Sequence, residues 1–205
     1  MAQLAELLRD VSAARDHVDA VIALATEHRM PTWQGHGTVL RGWVLAQEGQ
    51  VMKGISFVQQ GIAELDTLGT AFHRCHYLEI LASLYAQLGD GTAGLGAIDR
   101  AYDQARRTEE RLWLADLHRI EGELRSISGA SNTEVEACFA EALALAQQQE
   151  ARSFELRAAT SLARLWRKQG RHNAACDLLA PIYGWFTEGF DTPDLKDAKA
   201  LLHEL

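Results

Sequence analysis

Two histidines and a glutamate lie one helical turn apart in the segment that follows Gly69. His73, His76 and Glu79 are spaced by three residues each, so in a helix they project from one face and could share a metal ion. Cys75 lies between them but points to another side, and no second pair of ligands is visible elsewhere. We therefore interpret these residues as solvated or packed side chains and predict no metal or other cofactor.

A second group of ionisable residues, between Asp116 and Arg125, interleaves carboxylates with bases. Glu121 and Arg125 have the i,i+4 spacing of an ion pair within one helix, which favours a salt-bridged surface over an acid–base pair. No serine has the context of a nucleophile elbow, and no GxxxxGK[ST] phosphate loop occurs. The sequence therefore predicts a protein that is not an enzyme.

Basic residues cluster in one predicted helix, although the chain carries a formal charge of −8. Guanidinium groups bind carboxylates in a bidentate manner, so this cluster favours a protein or peptide partner with an acidic segment. A solvated charged face is the alternative. The predicted partner-binding groove comprises Trp43, His76, Glu79, Arg157, Arg164, Arg167 and Lys168.

Composition narrows the function classes further. Nucleic-acid surfaces need a basic face, which argues against DNA or RNA as a partner of this acidic chain. No apolar run approaches the roughly 18 residues of a membrane span, and the amphipathic start does not resemble a signal peptide. The three cysteines lie far apart, which predicts free buried thiols in a reducing compartment. We expect a cytoplasmic protein that binds neither nucleic acid nor membrane.

Glycines recur at a fixed spacing along the chain. Gly49, Gly89, Gly129 and Gly170 are separated by 40, 40 and 41 residues, and glycine commonly ends a helix in the left-handed conformation. A small residue seven places earlier would let two helices approach closely. These small residues are Gly42, Ala82, Gly122 and Ala163. The pattern is that of tetratricopeptide (TPR) repeats with a period of about 40 residues instead of the usual ~34.

We predict an all-α fold, an α-solenoid in which antiparallel helix pairs wind into a right-handed TPR-like superhelix. Residues 1–205 are interpreted as a single domain. It comprises a half repeat at 1–31, helix pairs at 32–69, 70–110, 111–150 and 151–190, and a C-terminal capping helix at 191–205. Whether residues 2–28 form one helix or two is left open. Homodimerisation through the apolar ends of the array is a further expectation, which sedimentation of the protein tests.

Several segments carry a resemblance to a known family: ATEHRMPTWQGHGTVLRGWVLAQEGQ, LADLHRIEGELR, SFELRAATSLARLWRKQGR and LLAPIYGWFTEGFDTPDLKDAKALL. They resemble the C-terminal helical-repeat region of bacterial signalling proteins that carry an AAA/STAND-type ATPase behind a class III adenylate/guanylate cyclase or another output domain. The similarity covers nearly the whole chain. It implies a non-catalytic scaffold or sensor for signal transduction, either a piece of a longer array or the product of a short gene derived from one. A module that senses a small molecule or a metal, at His73, His76 and Glu79, is the alternative.

Overall fold

The structure, a computed structural model, describes residues 1–205 and contains eleven α-helices and no strand. The predicted all-α fold is confirmed. The helices are α1 (Ala2–Leu7), α2 (Val11–Glu27), α3 (Pro31–Gln47), α4 (Val51–Thr67), α5 (Arg74–Leu88), α6 (Gly91–Thr108), α7 (Leu114–Ile127), α8 (Asn132–Gln148), α9 (Arg152–Lys168), α10 (His172–Gly184) and α11 (Pro193–Glu204). We call the odd-numbered helices first helices and the even-numbered ones second helices.

A residue in the left-handed conformation follows each of the first ten helices, at intervals of 19 to 21 residues. Those after first helices are Arg9, Gly49, Gly89, Gly129 and Gly170, and those after second helices are Arg29, Gly69, Glu109, Glu150 and Gly189. In eight of these turns the next residue donates to the carbonyl five places back, as from Ala130 to Arg125 at 2.9 Å, which satisfies an orphan carbonyl at the helix end. The left-handed turn therefore recurs even at the positions where another residue replaces glycine.

Capping residues explain where several helices begin. The Asp10 carboxylate accepts from the backbone N–H of Ala13 at 3.0 Å and starts α2, so residues 2–28 form two helices. Ser131 and Glu134 form the predicted capping box at the start of α8. Pro193 begins α11 after Thr192, since proline suits the first position of a helix.

The chain divides into two compact units, Met1–Arg107 and Thr108–Leu205, each of which we describe by itself. In the first unit α2 packs on α3, α3 on α4 and α4 on α5, while the first helices α1, α3 and α5 contact one another in turn. In the second unit α7 to α11 pack in the same alternating order, and α9 contacts both α7 and α11. Each unit thus contains a layer of first helices. The interpretation of residues 1–205 as one domain stays a prediction.

Two of the recurring small residues, Gly42 and Gly122, lie where a first helix packs closely on its second helix. A Cβ added to Gly42 of α3 would lie 2.6 Å from the carbonyl oxygen of Gly54 in α4. In the second unit a Cβ on Gly122 would lie 2.6 Å from the ring of Phe139. The equivalent residues Ala82 and Ala163 are fully buried. The backbones of α3 and α4 are therefore in direct contact.

We expect Gly42→Ala to lower the free energy of unfolding by about 1–3 kcal/mol, because its methyl group would meet the backbone of α4, which cannot move aside. Gly96 is the matched control: it lies in α6, is exposed, and has nothing within 4 Å of an added Cβ. Gly96→Ala should raise stability by about 0.5–1 kcal/mol through its higher helix propensity. Urea unfolding measures both, and a neutral Gly42→Ala would contradict the close approach.

Candidate functional site

One position of the first helices carries a buried or largely buried ionisable side chain in α3, α5, α7 and α9. It lies seven residues after the left-handed residue that precedes each helix. We name this set the seventh-position row, and its members are His36, His76, Asp116 and Arg157. The first three are buried and Arg157 is largely so. Buried ionisable groups require hydrogen-bonding or charged partners. The row therefore identifies the polar contacts in the interior of each unit.

His76 lies between two carboxylates in the first unit. Its Nδ1 is 2.7 Å from Oε2 of Glu79, and its Nε2 is 3.0 Å from Oε2 of Glu6. Burial alone would lower the pKa of His76, but attraction to Glu6 and hydrogen bonds with both carboxylates outweigh it and raise the pKa to about 10. His76 is therefore an imidazolium that donates to both carboxylates and ties α1 to α5.

His36 forms the corresponding contact on α3. Its Nδ1 and the hydroxyl of Tyr77 are hydrogen-bonded at 2.7 Å within the interior of the first unit. Burial lowers the pKa of His36. Burial, together with the negative charge of Glu6, raises the pKa of Tyr77. At neutral pH His36 and Tyr77 are therefore both uncharged, in contrast to the charged His76 beside them.

Further rings surround His36, and we name Trp33, His36, Phe72, His73 and Tyr77 the aromatic cluster. The centroid of the His36 ring lies 5.5 Å from that of Trp33, 6.4 Å from that of Phe72 and 6.1 Å from that of His73. Burial and the nearby rings of His76 and His36 lower the pKa of His73 to about 4. His73 has a left-handed backbone (φ 60°) outside the regular series of turns, a strained conformation for a residue other than glycine.

Arg157 is the equivalent residue in the second unit, where the first helices meet through opposite charges. Its Nε donates to Oδ2 of Asp194 in α11 at 2.7 Å, and its Nη1 lies 3.9 Å from Oδ2 of Asp116 in α7. Burial opposes its charge, but Asp116 and Asp194 outweigh burial and raise the pKa of Arg157. Arg119 also donates to Asp116 at 3.0 Å. Arg157 thus links three consecutive first helices.

The rest of the basic side of α9 also meets α11. Arg164 lies 3.8 Å from a carboxylate oxygen of Asp197, and Arg167 pairs with Glu204, while Lys168 is exposed. Beneath these ion pairs, apolar residues of the two helices pack together in one core. They are Leu156, Ala159 and Ala163 of α9 with Leu195, Ala198 and Leu201 of α11. An acidic amphipathic helix of the chain itself therefore covers α9.

The residues predicted for the groove lie in different environments. Trp43 is buried in the first unit, and His76 and Glu79 are bonded to each other inside it. Arg157 is held between carboxylates. Arg164, Arg167 and Lys168 form the solvent side of α9. The structure places His76 beside Glu79. It also aligns Arg157, Arg164 and Arg167 along α11, and the sequence did not indicate this contact with α11.

The alternative of a metal site at His73, His76 and Glu79 fits this geometry poorly. Both ring nitrogens of His76 are engaged with carboxylates, and an imidazolium has no lone pair for a metal. The structure contains no group of three side chains suited to hold a metal ion. The predicted ion pair of Glu121 with Arg125 is confirmed at 2.8 Å. None of the three cysteines forms a disulfide, and Cys75 is buried while the other two are partly buried.

Sequence reasoning missed Glu6, His36, Tyr77 and Asp194. Their contacts join residues far apart in the chain, by 70 positions for Glu6 with His76 and by 41 for His36 with Tyr77. The repeat itself held the signal, because counting seven residues from each turn after a second helix selects the whole seventh-position row, together with the exposed Lys196 of α11.

The chain is 28% identical over 147 residues to an uncharacterized protein of Rhizobium meliloti (strain 1021), an alignment that covers 72% of the chain and 14% of that protein. The chain thus spans about one seventh of that relative's length. No protein-family model matches the chain.

Two crystal structures of a Podosopora anserina kinesin light chain-type protein with nearly identical TPR-like repeats are similar in fold. One has a TM-score of 0.60 at 15% identity and covers 89% of this chain and 90% of its own. The other has a TM-score of 0.57 at 14% identity and covers 99% and 92%. The fold is therefore that of TPR-like helical repeats. None of the helices is both long and apolar enough to cross a membrane.

Replacing His76 with glutamine removes the cation between two buried carboxylates, and we expect it to cost about 3–5 kcal/mol of stability. The folded-state pKa of His76, about 10, lies above the ordinary 6.5. Its stabilisation is therefore complete below pH 6.5 and declines as pH rises toward 10. The variant should lose this decline, and His28→Gln, at an exposed histidine, should keep it. Thermal unfolding between pH 6 and 9 and NMR titration of the His76 ring measure this, and a ring that titrates near pH 6.5 would refute it.

Proposed function

We propose that this chain is a non-catalytic protein-interaction module whose basic first helix, α9, binds an acidic segment of a partner. Stacked helical repeats present extended surfaces on rigid elements, which suits a scaffold that recognises another polypeptide. One observation carries the proposal for the acidic partner: α9 already binds an acidic amphipathic helix, α11, within its own chain.

The contact with α11 illustrates which chemistry α9 accepts. Asp194, Asp197 and Glu204 recur at helical spacing on one side of α11 and meet three arginines, while leucines on the adjacent side pack on α9. Partly exposed ion pairs contribute only about 0–1 kcal/mol each, so these charges set orientation and selectivity. Apolar contacts then supply most of the affinity.

Some of the basic surface remains accessible beside α11. The side chain of Arg164 is 46% exposed and its distance to Asp197 is long for an ion pair, and Lys168 is exposed at the end of α9. An acidic segment of a partner can reach both groups without displacing α11. Arg157, by contrast, is enclosed between Asp116 and Asp194 and serves to position the helices.

The ionisable groups of the seventh-position row support a role without catalysis. His76 has both nitrogens bonded to carboxylates, and Asp116 is held by Arg119 and Arg157. A general base needs a lone pair directed toward a substrate, and these groups direct theirs at one another. The same arrangement disfavours a metal or small-molecule sensor at His76.

We also propose that the module serves a cytoplasmic bacterial signalling system built around an ATPase or an adenylate/guanylate cyclase. The family segments of the sequence support this context, as does the similarity to part of a much longer Rhizobium meliloti protein. Binding of a partner would then bias the ATPase switch. Sequencing the reading frames that contain or adjoin this chain in the source genome tests this context. We expect one of them to encode a GxxxxGK[ST] phosphate loop, and the absence of such a loop would contradict the proposal.

Selection of displayed 16-residue peptides on the full chain tests the interaction function, and we expect enrichment of amphipathic sequences rich in Asp and Glu. Lys168→Glu should weaken the selected peptides roughly three- to tenfold, because a favourable charge contact of up to ~1 kcal/mol becomes a repulsive one. Lys53→Glu makes the same charge change at an exposed site on α4 and should leave affinity unchanged.

The outcomes separate the two parts of the proposal. Failure to enrich any peptide would contradict an interaction module. Enrichment of neutral peptides, or equal binding to both charge variants by fluorescence anisotropy, would contradict the acidic partner at α9.

A further inference from the structure

Three arginines of the first unit lie together on α5 and α6, and we name Arg74, Arg100 and Arg107 the arginine cluster. Arg74 begins α5, and the thiol of the next residue, Cys75, lies 3.8 Å from the carbonyl oxygen of Ala101 in α6. The start of α5 therefore packs beside Arg100. Arg107 follows Arg100 by about two helical turns, so both side chains leave the same face of α6. The cluster concentrates positive charge in a chain whose formal charge is −8.

The members of the arginine cluster act on one another through their charges. Burial lowers the pKa of Arg74, and the charges of Arg100 and Arg107 lower it further. Nearby positive charges lower the pKa of a base because they oppose its charged form. The potential that Arg100 and Arg107 create at Arg74 is therefore positive, and a positive potential attracts an anion.

The carboxylates nearest to the cluster in the sequence leave two of its arginines without an ion pair. Asp66 of α4 pairs with Arg74, whose side chain is 26% exposed. On α6, Asp103 pairs with Arg106, and Asp99 projects about 100° around the helix from its neighbour in the cluster. The other two members of the cluster are exposed and form no ion pair.

Stabilisation of the end of α6 accounts for only part of the cluster. A positive side chain in the last turn of a helix is attracted by the carbonyl end of that helix, and Arg106 and Arg107 occupy the last turn of α6. This attraction falls off within one turn. It therefore does not explain Arg100, which lies two turns earlier and close to Arg74.

We propose that the arginine cluster binds a phosphate monoester group, with Arg100 and Arg107 donating to its oxygens and Arg74 adding positive charge. A phosphate monoester carries a charge of about −1.5 to −2 at pH 7 and three acceptor oxygens, so it can accept from two guanidiniums at once. The single carboxylate of Asp66 pairs with Arg74 and leaves the other two arginines without an anion.

This surface differs in place and in ligand from the one on α9. It lies on α5 and α6 in the first unit, and its ligand is a phosphate group instead of an acidic helix. Arginine clusters are a known means of recognising phosphorylated segments. The inference therefore goes beyond the proposed function and does not depend on it.

Titration of the full chain with capped tripeptides tests the proposal. Acetyl-Gly-phosphoserine-Gly-amide carries the phosphate monoester, and acetyl-Gly-Glu-Gly-amide is the carboxylate control. The arginine Nε–H signals are followed by NMR at neutral pH and low ionic strength. We expect the signals of Arg100 and Arg107 to shift, with a dissociation constant about three- to tenfold lower for the phosphoserine peptide, because its phosphate carries up to about twice the charge of a carboxylate.

Two further probes distinguish the sources of the phosphate group. Inorganic phosphate and adenosine monophosphate are titrated in the same way. Tightest binding of the phosphoserine peptide indicates a phosphorylated segment of a partner, and tightest binding of adenosine monophosphate indicates a nucleotide. Equal binding of all three indicates recognition of the phosphate group alone. Each of these results supports a phosphate site.

Single variants assign the binding to the cluster. Arg100→Gln and Arg107→Gln, both at exposed positions, should each weaken binding of the phosphoserine peptide about three- to tenfold. Asp66→Asn removes the carboxylate beside Arg74 and should strengthen it about two- to threefold. Lys53→Gln is the matched control, because it removes one positive charge at an exposed position of α4, and it should change affinity by less than about twofold. Thermal unfolding checks that each variant is folded.

Several results would overturn the proposal. They are equal binding of the phosphoserine and glutamate peptides, the absence of shifts at Arg100 and Arg107, and a loss of affinity in Lys53→Gln as large as in the arginine variants. Weaker binding after Asp66→Asn would contradict the part assigned to Arg74. The test is separate from the acidic-segment proposal, since Lys168→Glu should leave binding of the phosphoserine peptide unchanged.

Discussion

The even spacing of left-handed turns decides which side chains meet in this protein. The first helices begin two to five residues after a left-handed turn residue. Residues seven places after that turn nevertheless contact neighbouring first helices in both units. The seventh-position row is the clearest result. Where the period grows to 41 residues, at Glu150, the row moves with it from Asp116 to Arg157. The insertion is thus absorbed without changing the face that the row occupies.

The row residues of the two units differ in their charges and in their partners. The first unit places a protonated histidine between glutamates and a neutral histidine against a tyrosine, whereas the second uses arginine between aspartates. Buried ion pairs add little net stability compared with apolar packing, but breaking one is costly. We therefore regard the row as fixing the pairing of neighbouring first helices. The apolar stripes and the small residues at Gly42 and Gly54 provide the packing.

Much of the local structure was predictable because its causes are local. Glycine spacing marked the helix ends, Ser131 and Glu134 marked the start of α8, and Gly42 marked a close helix contact. The candidate site was predicted less well. The sequence placed His76 and Glu79 in a surface groove, although they lie in the interior. It could not show that Glu6, 70 positions away, lies against His76. The sequence also could not show that α11 covers α9. That contact depends on Asp194 lying opposite Arg157, which is 37 residues away in the chain.

The proposed acidic-segment surface belongs to the layer of first helices in the second unit. In this unit the acidic helix α11 covers α9. Arg164 and Lys168 remain accessible beside it.

The most direct measurement is a double-mutant cycle between Arg157 and Asp194, with Arg157→Ala, Asp194→Ala and the double variant compared by urea unfolding. If the seventh-position row joins consecutive first helices, the pair will show a coupling energy of at least about 1 kcal/mol, as expected for groups in one buried network. If the two single effects add within about 0.3 kcal/mol, the residues act independently and the row does not hold the helices together.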